Sequence, residues 1–231
     1  MKPILFNTDM VRAILEGRKT VTRRLVKPQP GFFFDHGGKT HDPDNPEHIA
    51  FVAFTKDGDQ EIYVPPYQPG DVLYVRETWR VQAAHRFEAD ARIEFRAGGP
   101  MTTIQFSGRC SDSHERPSYD DFISKWGVSG KWHPSLHMPK EAARLFLRVT
   151  EVRPERLQDI TPDDCEREGA ITINNPLIYA DEATYNKITV GEMRRLWNST
   201  IKRDDFPAYG WPANPWVWVI EFERCEKPAG V

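Results

Sequence analysis

Residues 17–25 read GRKTVTRRL, in which Gly17 and Leu25 enclose Lys19, Thr20, Thr22, Arg23 and Arg24. The β-branched residues predict a strand through KTVTRRLV, and alternate side chains of a strand share a face. Thr20, Thr22 and Arg24 then point one way, Val21, Arg23 and Leu25 the other. The Val21/Leu25 side is the natural core side, which leaves Arg23 where an apolar residue is expected. Thr22 and Arg24 line the opposite face, with Lys19 at the strand mouth. An ammonium, a hydroxyl and a guanidinium so placed suit an anion or a polarised carbonyl.

Upstream, PILF (3–6) reads as a short buried strand. NTDMVRAILEG then supplies an Asn7/Thr8 cap, apolar positions Met10, Val11, Ile14 and Leu15, and a terminating Gly17, the pattern of an amphipathic helix. Downstream, residues 27–69 are rich in proline and glycine and hold a hairpin signal, AFVAF and EIYV joined across KDGD. GDVLYVRETW (70–79) reads as one apolar strand, and residues 80–142 turn irregular again, with one strand expected at ARIEFRAG. Organisation returns with the strand ARLFLRVTEV (143–152). In LQDITPDDCEREG, Thr161 caps a helix, Pro162 takes its first position and Gly169 ends it. ITVGEMRRLWN predicts a helix that starts at a Thr189/Glu192 capping box with an Ile188/Met193 staple. NPWVWVIEFE closes the series as a strand buried on both faces. Short strands with few crossover helices predict a mainly β, α+β fold, a compact barrel with helices at its ends.

Net charge over the 231 residues is −3, which is not the footprint of a basic nucleic-acid protein. Residues 1–34 nevertheless hold seven cations and two acids, a local excess that can hold an anionic ligand. Cys110, Cys165 and Cys225 are odd in number and lack metal-type spacing, which predicts unpaired thiols in a reducing, cytoplasmic setting. The amino terminus has too short an apolar run for a signal peptide, and no stretch reaches the ~20 apolar residues of a membrane span. Oligomeric state is not legible.

ILEGRKTVTRR resembles the G-x-K-x-x-x-x-R signature that opens ASCH domains, which are β-barrels related to the PUA fold. The resemblance continues in order through GDVLYVRETW, RLFLRVTEVRPERLQDITPDDCEREGA and MRRLWNS…NPWVWVIEFE, over about half the chain. WHPSLHMPKEAARL is similar to the larger branch of the family carried by bacteriophages and prophages. The resemblance implies one domain over 1–231, with a barrel core at 1–26, 70–79, 143–169 and 188–224 and insertions at 27–69 and 80–142. It also implies binding of RNA, nucleotides or modified bases in a cleft, without a metal or cofactor. One small branch removes the acetyl group from N4-acetylcytidine with a Lys, a Thr and a Glu. Its motif matches Gly17, Lys19, Thr20, Thr22 and Arg24 here, and implies catalytic roles for Lys19, Thr22 and Glu168. Two assignments stay open: neutral Lys19 as base for the Thr22 hydroxyl, or Glu168 as base with protonated Lys19 stabilising the oxyanion. RNA cleavage in the same cleft is a third reading of the family.

Arg76 and Glu77 interrupt an apolar strand and are candidates for ligand contact or for a structural ion pair. Trp79, at a strand end, is the leading base-stacking candidate, with Trp132 second. His133, Ser135 and His137, with Cys110 and His114 nearby, sketch a zinc or Ser–His site. Pro134 breaks the helix that would align the two histidines, and no second pair has zinc spacing.

Overall fold

A computed structural model of the chain describes residues 1–31, 33–106, 118–128, 130–170 and 181–228. In chain order the strands are β1 (Lys2–Leu5), β2 (Val21–Leu25), β3 (Phe33–His41), β4 (Ile49–Phe54), β5 (Gln60–Tyr63), β6 (Val72–Arg76), β7 (Trp79–His85), β8 (Asp90–Phe95), β9 (Thr102–Gln105), β10 (Phe146–Arg156) and β11 (Trp216–Cys225). The α-helices are α1 (Thr8–Leu15), α2 (Tyr119–Trp126), α3 (Pro162–Arg167), α4 (Glu182–Thr200) and α5 (Phe206–Tyr209). The fold is α+β and mostly sheet. No helix among the described residues is long and apolar enough to cross a membrane.

Two compact units interleave along the chain. The first comprises Met1–Glu16, Val72–Leu147 and the residues from Arg224. In it β1 pairs in parallel with β6, and β7, β8 and β9 form an antiparallel meander. Alternation along β7 and β8 turns Trp79, Val81, Ile93 and Phe95 inward, where Ile104, Phe106, Phe122 and Met138 complete a core. The expected single strand over 70–79 is two strands: it breaks after Arg76 because Glu77 turns inward to an ion pair with Arg144.

The second unit comprises Gly17–Asp71 and Arg148–Glu223. Here β11 lies between β10 and β2 and pairs antiparallel with β2, Trp218 opposite Arg24 and Ile220 opposite Thr22. The predicted AFVAF/EIYV hairpin forms as β4 and β5, with β3 on the other side of β4. One face of β2/β11 packs Val21, Val217 and Val219 against Leu157, Cys165, Met193 and Trp197 of the helical layer. On the other face Trp216 and Trp218 meet Phe34 and Phe51 of the added sheet at ring distances of 5.0–5.7 Å.

Local signals explain most boundaries. Asn7 caps α1 by accepting from the Met10 N–H, and Thr161 and Asp164 form a reciprocal capping box on α3. The predicted start of α4 at Thr189 is wrong. Asp181 caps the helix at Thr184, and Thr189 lies buried in its interior, its hydroxyl donating to the Tyr185 carbonyl 2.8 Å away.

Gly17 follows the C-cap of α1 at φ +76°, in the left-handed region, with open space where a methyl would go. Gly17→Ala should therefore cost only the backbone term, about 1–2 kcal/mol, read as a lower urea or thermal midpoint. An unchanged midpoint would contradict the conformational role of this glycine.

Candidate functional site

The site lies within the second unit and is built on β2. Lys19, just before the strand, donates from Nζ to the Val21 carbonyl at 2.8 Å and the Glu168 carbonyl at 2.7 Å. A third hydrogen bond, also 2.7 Å, goes to Glu168 Oε2. Glu168 is the C-cap of α3, where helix carbonyls lack intrahelical donors. One ammonium thus satisfies that helix end and neutralises its carboxylate.

Arg23 approaches the same carboxylate from the helical side. Its Nη1 lies 3.4 Å from Glu168 Oε1, and its Nη2 lies 3.2 Å from Glu155 and 3.3 Å from Asp164. The circuit closes further out: Arg153 bridges Glu155 and Glu221 at 2.7 Å each, and Arg167 joins Glu221 at 2.6 Å and Asp164 at 3.6 Å. Three arginines and three carboxylates alternate around a ring, with Lys19–Glu168 attached at Arg23.

On the opposite face Arg24 Nη1 donates to Thr22 Oγ1 at 3.0 Å and to the Arg23 carbonyl at 3.1 Å. Because the guanidinium donates, the Thr22 oxygen accepts and its own hydrogen is not spent on this contact. Thr20 is held elsewhere: its N–H donates to the Arg167 carbonyl at 2.9 Å, and its hydroxyl accepts from Arg167 Nε at 3.3 Å.

Burial pushes the Lys19 ammonium below its ordinary value; Glu168 opposes the shift, while Arg24 and Arg23 add to it. The three oxygens around Nζ nevertheless match the charged form, because a neutral amine would surrender one N–H. The Glu168 carboxylate is engaged by Lys19 and Arg23, whereas the Thr22 hydroxyl accepts from Arg24. Burial also lowers Arg24, partly offset by Glu168 and Tyr67, and a guanidinium remains charged throughout.

The structure thus brings Lys19, Thr22, Arg24 and Glu168 together around β2. It also encloses them. Lys19 and Glu168 are 2% exposed and Thr22 1%, so the expected open cleft over this trio is corrected to a closed cluster. Lys19 and Glu168 are closed in at the end of α3, while the β3–β5 sheet of segment 27–69 packs on Trp218, the cross-strand neighbour of Arg24.

The remaining candidates lie in the first unit. Trp79 is fully buried, between Phe122, Trp126 and His133, so no ring face is left for a base. Glu77, 1% exposed, forms a bidentate pair with Arg144 at 2.9 and 2.8 Å and contacts no open surface. Arg76 donates to the Leu136 carbonyl and lies over Tyr74, so the two residues do not pair with each other. His133 stacks on Trp79 and its Nε2 donates to the Trp126 carbonyl, a packing role. Cys110 and His114 lie outside the described residues, among which no cluster has metal-binding geometry.

Two features escaped the sequence reading. Arg23 is the hub of the cluster, and a charge in a core-facing register was the available signal: it demanded buried acids. The second is a hollow of about 470 Å³ beyond the end of β2, lined by Val26, Lys27, Pro28, Glu61, Ile62, Tyr63, Val64 and Trp218. Tyr63 donates to Glu61 at 2.8 Å, and burial with that carboxylate pushes its hydroxyl up to about 12, so the phenol stays neutral. The chain matches no family model, no curated protein and no solved structure.

Removing one partner of a buried pair strands the other, at a cost of about 3–5 kcal/mol. Glu168→Ala should show a loss of this size in urea unfolding, because Lys19 and Arg23 both lose their shared acid; a loss below about 1 kcal/mol would mean water replaces it. The ring also fixes the acid response. Burial raises Asp164 and Glu221, but the facing arginines, with the Thr161 cap at Asp164, outweigh it and hold both carboxyls below their ordinary 3.8 and 4.5. A depressed carboxyl adds stability above its unfolded value and loses it as pH falls through the folded one. Stability should therefore hold from neutrality to about pH 5 and fall below about pH 4, and Glu221→Gln should flatten that fall in pH-dependent unfolding.

Proposed function

We propose that the chain is an ASCH-like protein with a PUA-like barrel, and that it binds a nucleotide or nucleic-acid segment in the hollow at the end of β2. The observation that carries this reading is the lining of that hollow: Lys27, whose ammonium stands 4.8 Å over the Tyr209 ring, with half-buried Tyr63 and exposed Glu61 as ring and acceptor. Such a set suits a phosphate, a base plane and a base-edge donor together. Its volume of about 470 Å³ is in the range of small-molecule sites. Directly behind it, β2 carries the K-T-R motif, whose buried charges hold the strand in place.

Titration with cytidine monophosphate, followed by tryptophan fluorescence, tests the reading. Binding should weaken with added salt and by about tenfold in Lys27→Ala, the scale of one charge-assisted hydrogen bond. Equal affinity in wild type and Lys27→Ala would remove the hollow as the site. Lys19→Ala and Arg24→Ala are poor probes, since both residues are held within the closed cluster.

A second reading, an amidohydrolase on N4-acylated cytidine, draws on the juxtaposition of Lys19, Glu168, Thr22 and Arg24. Neutral Lys19, or Glu168 with the Lys19 ammonium stabilising the oxyanion, would take the Thr22 proton as the Thr22 oxygen attacks the acyl carbon. Collapse would break the C–N bond as the proton passes to the leaving N4 amine, and water would then release the acyl group from Thr22 as the free acid. Thr22, 1% exposed, must first be uncovered. Incubation with N4-acetylcytidine should release cytidine in wild type and none in Thr22→Ala; release that survives Thr22→Ala rejects this nucleophile. RNA cleavage has no residue support beyond the same cluster.

A further inference from the structure

The outward face of the β7–β8–β9 sheet belongs to neither reading above. Ala91, Ile93 and Phe95 face the core of the first unit, so Arg92 and Glu94 project outward, and Arg96 follows at the strand end. Arg80 stands opposite Glu94 on β7 and pairs with it at 2.7 Å. Trp132 lies on this face, half-buried, with the Arg80 guanidinium 4.5 Å and the Arg96 guanidinium 5.9 Å from its ring centre. Arg80 also donates to the Gly130 carbonyl at 3.3 Å. Arg92, Arg96 and Lys131 are exposed, and none has an ion-pair partner among the described residues.

We propose that this face is a binding platform for single-stranded nucleic acid, separate from the hollow in the second unit. The charge balance argues for a polyanion: four cations, Arg80, Arg92, Arg96 and Lys131, stand against two acids, of which Glu94 is spent on Arg80 and Asp90 on His85. The aromatic group argues for exposed bases. A cation fixed over an indole makes a flat π-surface on which a base stacks, which a duplex, its bases already stacked, does not offer. Glu94 and Gly130 hold Arg80 in that geometry, whereas Arg92 and Arg96 are free to turn toward phosphates. Their α-carbons lie about 13 Å apart along the strand direction, the reach of a few extended nucleotides. Base identity is not read, because the platform presents no fixed acceptor to a base edge.

The test uses the full chain and a fluorescein-labelled twelve-nucleotide oligouridine, read by anisotropy against a duplex of equal length. The single strand should bind more tightly than the duplex. Trp132→Ala should weaken single-strand binding about tenfold, while Trp132→Phe, which keeps a ring, retains most of it. Arg92→Ala/Arg96→Ala should reduce the slope of log affinity against log salt by about 1.4, two phosphates at ~0.7 each for single strands. The effects of Trp132→Ala and of Arg92→Ala/Arg96→Ala should persist in the Lys27→Ala background, which separates this platform from the hollow. Three outcomes overturn the proposal: equal binding of duplex and single strand, no effect of Trp132→Ala in a protein whose unfolding midpoint is unaltered, or an unchanged salt slope in the double variant.

Discussion

A guanidinium with no accessible surface stands in the second strand of the chain, and much of the second unit is arranged around neutralising it. Arg23 sits in the register that faces the helical layer, where Val21 and its partners Val217 and Val219 are apolar. An unpaired charge there would be prohibitively unfavourable. Its acids come from three places: Glu155 on β10, and Asp164 and Glu168 in and at the end of α3. Arg153 and Arg167 then tie those acids to Glu221 on β11. The closed circuit joins β2, β10, β11 and α3, so these strands and α3 keep their charges paired only in one mutual arrangement. A buried network of this kind adds little net stability over well-packed apolar groups. In this unit we assign it the role of fixing β2 relative to α3, which is what a site built on β2 requires.

The two faces of β2 do different work. Toward the helices, the ring and the Lys19–Glu168 pair are packed shut. Toward the added sheet, Thr22 and Arg24 lie beside Trp218, and Phe34 and Phe51 close over that tryptophan. The open volume begins only past Leu25, where β2 ends and Val26, Lys27 and Pro28 turn along β5. Motif and hollow are therefore adjacent along the strand but unequal in access.

Much of this was legible because it rests on local chemistry. The Asn7 and Thr161 caps, the Pro162 start, the hairpin at β4/β5 and the alternation of β2 each follow from residues within a few positions of one another. The Lys19–Glu168 contact spans 149 residues and was reachable only through the family resemblance. Arg23 was read as an anomaly because its acids lie on β10 and α3, and nothing local announces them. Trp79 was misplaced for a related reason. A tryptophan at a strand end looks accessible until α2 and the His133 loop, more than forty residues later, are packed onto it. Thr189 failed the other way: a good local capping box was overridden by a better-placed Asp181 about two turns upstream.

Burial also decides how the K-T-R motif is best used. General-base chemistry at Thr22 needs a substrate carbonyl within bonding distance of its hydroxyl, and Thr22 is 1% exposed on a strand pair whose Trp218 lies under the aromatic layer of Phe34 and Phe51. Opening that layer would expose Phe34, Phe51 and Trp218 together, a hydrophobic loss of several kcal/mol for three large side chains. A ligand held at the rim requires no such opening. It meets Lys27, two residues past a strand whose position is locked from behind by paired charge, and Tyr63 on β5, and a rigid base of that kind lowers the ordering cost of binding. The buried cluster then contributes to recognition by holding the rim in place rather than by touching what binds there.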